Sequence, residues 1–480
     1  MSSDKRVIII GAGPGGICTA IQLQKSGRND FVILEKAPSP GGTWYHNRYL
    51  GCACDVPSHL YSFSFEPKMD WPRPYSEQPI ILDYMKHCVE KYNLGNHLHL
   101  NDGVKSAIWD ESNNLWKVTT ENGQDFEGEI MVGAVGMFND LVWPDIEGMN
   151  DFDGVSFHTA DWNDDYDLKN KRVAVIGSAA SAVQLLPPLA ALAEQVDMYQ
   201  RTANWVNFKE DTPYTEAEIQ SFIDNPETAS ELRQSFYERV DEGLLFDNPE
   251  RVILAEEAGS RNRAIVEDTD LREKLMPTHS FGCKRPLLSN DFYPAFNREN
   301  VELITDGIEK IVPNGVIDKH GNLREVDTII YATGFETTKF LSSIDVRGRE
   351  GRRLEDDWAD GAQAYLGSTV PGYPNMFMLY GPNTNNGSII EMIESQVAYT
   401  MKQIDRMEKE SLNTLEVKSE VYSSYNVKLQ EKINNVEAWG DNCLGYYRAK
   451  SGRVVTQWPN NMAAYSDQTS SDSLESYVVK

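Results

Sequence analysis

Residues 6–16 read Arg6-Val7-Ile8-Ile9-Ile10-Gly11-Ala12-Gly13-Pro14-Gly15-Gly16. A short β-branched apolar run that meets glycines at once is the sequence of a strand buried on both faces of a parallel sheet. Ile17 to Lys25 continues as a helix, and Phe31-Val32-Ile33-Leu34 returns as a second buried strand ending at Glu35. This is a βαβ unit. Its glycines permit a tight turn and let a pyrophosphate approach the backbone, while the helix N-terminus offers unpaired N–H groups and a positive dipole end. Glu35 lies nineteen residues beyond Gly16, where a carboxylate accepts hydrogen bonds from a ribose diol. Taken alone, the unit leaves FAD and NAD(H) both open.

The pattern recurs 166 positions later. Val173-Ala174-Val175-Ile176 runs into Gly177-Ser178-Ala179-Ala180-Ser181-Ala182, a helix follows over about 181–193, and Val196 to Tyr199 returns as a strand. Ala179 replaces the middle glycine, and its methyl holds a pyrophosphate slightly further from the backbone. No acidic residue closes this unit. Arg201, within Gln200-Arg201-Thr202, sits twenty-four residues after Gly177, the same offset as Glu35 from Gly11. A carboxylate there favours the free ribose of NAD, whereas an arginine suits the extra phosphate of NADP.

Other segments fill in the organisation. Val104 to Trp109, Trp116 to Thr120 and Phe126 to Val135 read as a small antiparallel meander, with a hairpin turn at Asn122-Gly123. Residues 213–279 are acidic and helical: Thr215 with Glu218 forms a capping box, and Leu232, Phe236, Val240 and Leu244 form one apolar packing stripe. Val326 to Tyr331 is a strand that closes on Ala332-Thr333-Gly334-Phe335. Ile389, Ile393, Val397 and Ile404 share a face of a helix from 389 to about 407. The last dozen residues, rich in Ser and Asp, read as a loose tail.

The bulk numbers bound the partners. The chain has 480 residues, 40% apolar and 25% charged, with a formal charge of 45 − 73 = −28. So acidic a surface argues against nucleic acid and anionic membranes, and requires any phosphate site to be a local basic island. No apolar run approaches the roughly 18 residues needed to span a bilayer. The six cysteines, at 18, 52, 54, 88, 283 and 443, are expected as reduced thiols of a cytoplasmic protein. Cys52 and Cys54 are too close for an ordinary structural disulfide, and no Cys/His cluster has metal-ligand spacing. Oligomeric state stays open.

Residues 152–163 carry a family resemblance. Phe152, Gly154, His158 and Trp162 match the fingerprint F-x-G-x-x-x-H-x-x-x-W of Baeyer–Villiger monooxygenases, with Asn163 in place of the usual final Pro or Asp. Further matches are Gly41-Gly42, Trp44, Tyr49, Gly51 and Asp55 (with Leu50 replacing a proline), then Gly282-Cys283-Lys284-Arg285-Pro286, Asn297 to Val301, Ala332 to Phe335, and Gly381-Pro382-Asn383-Thr384-Asn385. The landmarks run in family order from about residue 7 to 460. The chain thus resembles class B flavin-dependent monooxygenases of the Baeyer–Villiger type.

The resemblance implies an α/β fold of two Rossmann-like dinucleotide-binding domains, plus the helical subdomain and the antiparallel β meander. Residues 1–150 and 338–480 would form an FAD-binding domain. Residues 151–212 and 280–337 would form an inserted NADP-binding domain, with 213–279 as a helical insertion. It implies that NADPH reduces FAD, that O₂ adds at flavin C4a, and that the peroxide attacks a ketone to give an ester or lactone. Arg285 would stabilise that peroxide, since arginine is a permanent cation with a planar donor fork, and Asp55 would orient Arg285. FAD contacts would come from Gly11, Gly13, Gly15, Gly16, Glu35, Lys36, Gly42, Thr43, Trp44, Asp55, Tyr61 and Val104. NADP contacts would come from Gly177, Ser178, Ser181, Gln184, Arg201, Thr202 and Lys284, with Asn383 a further cofactor contact. Phe152, Gly154, His158 and Trp162 would couple NADP binding to domain motion, so His158 is read as conformational and not as a general base.

Three other readings use the same residues. Thioether or amine oxygenation, or hydroxylation, would proceed through the same flavin chemistry; Trp162 and Arg285 argue against it. A disulfide reductase needs a redox cysteine pair, and Cys52-Ala53-Cys54 has the wrong spacing. Ala179, Leu50 and Asn163 leave a flavin-binding protein without turnover as the non-enzymatic reading.

Overall fold

The computed structural model describes residues 5–243, 246–440, 443 and 445–480. Two all-parallel five-stranded sheets organise it. In the first, strands run in the order Met376–Met378, Ile130–Gly133, Val7–Ile10, Phe31–Leu34, Leu98–His99. In the second the order is Val301–Ile304, Gln195–Tyr199, Arg172–Ile176, Thr328–Tyr331, Val155–His158. The strand that feeds each glycine turn sits at the centre of its sheet, and Val7–Ile10 is buried at every position. Burial on both faces is why these runs are continuously apolar instead of alternating.

Both expected crossover helices form, over Pro14–Lys25 and Ala180–Leu192. The second holds Pro187 and Pro188 within it. Residues 213–279 are helical as expected, in four helices among the described residues. The capping box at Thr215 is complete: its Oγ1 accepts from Glu218 N at 3.2 Å, and its N–H donates to Glu218 Oε2 at 2.7 Å. Phe236 of the apolar stripe is buried, and Leu232 and Val240 pack against the core; Leu244 lies outside the described residues. The helix Ile389–Lys409 buries Ile393, Val397 and Ile404.

Four expectations need correction. The stretch Phe126 to Val135 is not one meander strand. Asp125–Gly128 stays in the antiparallel sheet beside Leu115–Thr120, but Ile130–Gly133 crosses to the first parallel sheet and pairs with Val7–Ile10. The reason is its composition: all four residues are buried, which a one-faced meander strand does not allow. A second meander, Ile308–Val312, Gly315–Asp318 and Leu323–Glu325, was not foreseen. The C-terminal residues are not a loose tail either. Tyr477–Val479 pairs antiparallel with Leu415–Val417, and the Tyr477 hydroxyl donates to Asp472 Oδ2 at 3.0 Å. One buried tyrosine outweighs the surrounding serines.

The fourth correction concerns the cysteines. Cys283 and Cys443 are joined as a disulfide with Cα atoms 5.5 Å apart, although 160 residues separate them. Cys18, Cys52, Cys54 and Cys88 are free and buried. Among the described residues no helix is long and apolar enough to cross a membrane.

Candidate functional site

Each central strand leads into a glycine that only a bare backbone satisfies. Gly11 has φ +105°, and a Cβ there would stand 2.6 Å from Ala134 O. Gly177 repeats this with φ +125° and a Cβ 2.2 Å from Ala332 O. The turns therefore press against the neighbouring strand exits, and the helix N-termini open toward a common space. That space is one cavity of about 570 Å³, lined from the first unit by Gly11, Gly13, Gly15, Glu35 and Lys36 and from the second by Ala179, Ser181, Gln184 and Lys284.

On the first side, Glu35 is held by backbone N–H groups: Oε2 accepts from Ala12 at 2.7 Å and Oε1 from Ala37 at 2.8 Å. The Lys36 ammonium donates to Asn139 Oδ1. Gly42, at φ +56°, lies so near the first turn that a Cβ would fall 2.8 Å from Gly13 Cα. The wall is thus bare backbone, which suits a close-approaching pyrophosphate. Thr43, Trp44, Tyr61 and Val104 also reach the cavity, and Trp44 Nε1 donates to the Tyr61 hydroxyl at 3.1 Å.

Arg285 and Asp55, 230 residues apart, meet in the cavity wall. Arg285 Nε donates to Asp55 Oδ2 at 2.8 Å and Nη2 to Oδ1 at 2.7 Å, a bidentate fork. The carboxylate raises the Arg285 pKa well above the ordinary arginine value, against the opposing effect of burial. Its side chain keeps 34% of its surface, open to the cavity it lines. Tyr380 and Tyr446 complete this wall. Sequence reasoning missed both: they come from loops near 380 and 446, and an aromatic in a loop carries no signal of its own.

Arg201 and Lys284 lie near one another, and burial together with the repulsion of Arg201 lowers the Lys284 pKa. Among the described residues neither side chain has a hydrogen bond or ion pair, although the chain carries a charge of −28. Two unpaired cations near one another make a local basic island.

Several expected cofactor residues stand elsewhere. Gly16 serves packing, since a Cβ would meet Gly11 O at 1.9 Å. Gly177, Ser178, Arg201 and Thr202 lie outside the cavity lining, and Ser178 Oγ donates to Thr202 O at 2.9 Å. Asn383 is not in the cavity lining; it is buried, and its Nδ2 donates to Val454 O and Gln457 O, tying loops together. Gln184 bridges the two units. It accepts from the Tyr49 hydroxyl at 2.7 Å and donates to Ala53 O at 2.9 Å.

The fingerprint residues lie outside the cavity. A Cβ on Gly154 would stand 2.6 Å from Asp327 O, and Trp162 sets its edge against Phe157 at 5.0 Å. Phe152 packs beside the second meander. His158 is wholly buried between Trp143 and Phe335. Its Nδ1 accepts from Ala160 N–H at 3.1 Å, and burial lowers its pKa to about 4. It is neutral and walled off. Burial likewise pushes the Cys52 thiol up to about 12 and the Cys54 thiol higher still, so the pair stays protonated. Among the described residues no cluster could hold a metal ion.

Two dinucleotide turns facing one cavity, with a guanidinium fixed between them, define a two-nucleotide oxidoreductase. Residues 8–308 match the family model described as pyridine nucleotide-disulphide oxidoreductase. A Baeyer–Villiger monooxygenase of Pseudomonas aeruginosa is 40% identical over 461 residues, spanning 95% of this chain and 87% of that protein. Cyclohexanone monooxygenase from Rhodococcus sp. Phi1, solved with NADP+, superposes with a TM-score of 0.89 at 28% identity, covering 99% of each chain. OTEMO, solved with FAD and NADP, gives 0.88 at 26% identity over the whole of both chains. The chain belongs to the Baeyer–Villiger monooxygenase family.

Proposed function

We propose that this protein binds FAD and NADPH and uses O₂ to convert a ketone into an ester or lactone, in the cytoplasm. The observation that carries the reading is Arg285, fixed by both Asp55 oxygens and presented to the cavity between the two glycine turns. The residues fit both cofactors. The backbone cradle of Gly11, Gly13 and Gly42, with Glu35 beyond it, suits the pyrophosphate and ribose of FAD in a unit of residues 1–150 and 338–480. The unpaired Arg201 and Lys284 suit the NADP phosphate in a unit of residues 151–212 and 280–337, which carries the helical insertion 213–279.

Bound FAD, reduced by NADPH, supplies the oxygen activation that no side chain here can provide. The protein's own part is electrostatic. Arg285 places a permanent positive charge where oxygen atoms of substrate and oxidant gain negative charge. Asp55 orients that fork and leaves Nη1 free of it. Trp44, Tyr61, Tyr380 and Tyr446 wall the cavity with aromatic surface and exclude water. Gln184 ties the two units together, and His158 sits buried at the end of the edge strand Val155–His158.

The test is anaerobic reduction with NADPH, mixing with aerated buffer, and product analysis with ketones and a thioether. Ester from ketone supports the reading. Oxygenated thioether without ester moves the protein to heteroatom oxygenation, and hydrogen peroxide alone refutes oxygenation.

A further inference from the structure

Tyr446 belongs to a segment that reaches the cavity from the C-terminal part of the chain, and this segment is fastened to the loop bearing Arg285. Trp439 Nε1 donates to Gly282 O at 3.1 Å, and the Cys283–Cys443 bond follows directly. Thr337 Oγ1 donates to Tyr446 O at 2.7 Å. Cys283 stands two residues before Arg285, and Cys443 three before Tyr446. One covalent bond thus links the bases of two side chains that share a cavity wall.

We propose that Cys283 and Cys443 form a reversible thiol–disulfide site whose closed state fixes Tyr446 as a positioning residue over Arg285. The proposal rests on the reading of Arg285 given above. In a reducing compartment a disulfide of this kind is a transient, regulatory one. The reductant is a dithiol. One of its thiolates attacks a sulfur of the pair, the Cys283–Cys443 bond breaks, and a mixed disulfide forms. The second thiol then displaces the cysteine and leaves as a cyclic disulfide. Two electrons and two protons pass to the pair, leaving two thiols. The other four cysteines are unpaired, so they provide an internal control. Opening leaves the segment held by Trp439, Tyr447 and the Thr337 hydrogen bond. Tyr446 then keeps its carbonyl bond to Thr337 but loses the covalent restraint beneath its side chain, and water enters beside Arg285.

The experiment equilibrates holoenzyme in dithiothreitol buffers of graded reduced-to-oxidised ratio, then quenches with acid, alkylates and maps the peptides. Two readouts run in parallel: tryptic nicking at Arg448 and Lys450, and ester formed per NADPH consumed. In oxidising buffer a linked Cys283–Cys443 peptide is expected, with Cys18, Cys52, Cys54 and Cys88 alkylated. Reduction should raise nicking about tenfold, because cleavage follows the open population, and should lower the ester yield; reoxidation should restore both. Cys283→Ser and Cys443→Ser should behave as reduced in every buffer, while Cys88→Ser keeps the response. Alkylation of Cys283 and Cys443 in the most oxidising buffer overturns the proposal. So does a bond that forms while nicking and yield stay constant. A protein that makes no ester yet shows the thiol and nicking response refutes the monooxygenase reading and sustains the tether.

Discussion

Replacing Arg285 tests the centre of the reading, because its geometry separates charge from shape. The guanidinium makes two charge-assisted hydrogen bonds to Asp55, at 2.7 and 2.8 Å, and still presents a donor to the cavity. Arg285→Lys keeps the charge, but an ammonium cannot span both Asp55 oxygens and point at substrate as well. Losing one such bond costs about 1.5–3 kcal/mol, which corresponds to roughly 10- to 100-fold in rate. Arg285→Ala removes the donor altogether and should cost about 10²–10³-fold, the usual loss for one oxyanion-stabilising group. It also leaves the Asp55 carboxylate unpaired in the wall. Asp55→Asn should fall near the lysine variant, since the fork keeps its charge and loses its anchor. The assay is ester formation under saturating NADPH, with flavin content and anaerobic flavin reduction as controls that should not move. The pH profile adds a check. Arg285 has a raised pKa in the folded state, so the pair's contribution is complete below the ordinary arginine range and is lost only as pH rises above it. No activity limb in the neutral range should therefore belong to it. Ester formation by Arg285→Ala within about threefold of the parent, at equal flavin content, would refute the argument.

Arg201→Ala and Lys284→Ala should each raise the NADPH KM roughly 10- to 100-fold, as loss of a charged hydrogen bond to phosphate does, and leave the NADH KM unchanged; steady-state kinetics with both nucleotides decide it. His59 is buried against Tyr214, Phe222 and Phe236, has no partner on either ring nitrogen, and has its pKa lowered to about 4. The unfolded chain protonates first as pH falls, so stability is full above the ordinary histidine value and drains away toward pH 4, by at most roughly 3 kcal/mol for this residue. His59→Leu should thus shrink the fall in melting temperature between neutral and mildly acid pH. Gly177→Ala forces a side chain to φ +125° with a Cβ 2.2 Å from Ala332 O. That demands about 1–3 kcal/mol of backbone strain and displaces the turn, so thermal stability and NADPH affinity should fall together.

What the sequence reveals and what it hides follows from how far apart the interacting residues lie. The two βαβ units were readable because their constraints are local: β-branched runs, glycines forced to positive φ, and matched offsets to Glu35 and Arg201. The same local reading failed at 126–135, where the sheet boundary falls at Glu129 and only the burial of Ile130–Gly133 on both faces reveals the change of sheet. Asn383 shows a different limit. A turn asparagine satisfies backbone carbonyls as readily as a ligand, and residue type alone does not say which. Arg285 with Asp55 and Cys283 with Cys443 are pairings across 230 and 160 residues. No periodicity records them; the first was reached through family motifs, and the second emerged from chain closure. Both long pairings converge on residues 283–285, between the helices of 213–279 and the short strand Leu287–Leu288. Phe236 of those helices packs against His59, so a change there alters the packing of the stretch that leads to Arg285 without touching any residue that lines the cavity.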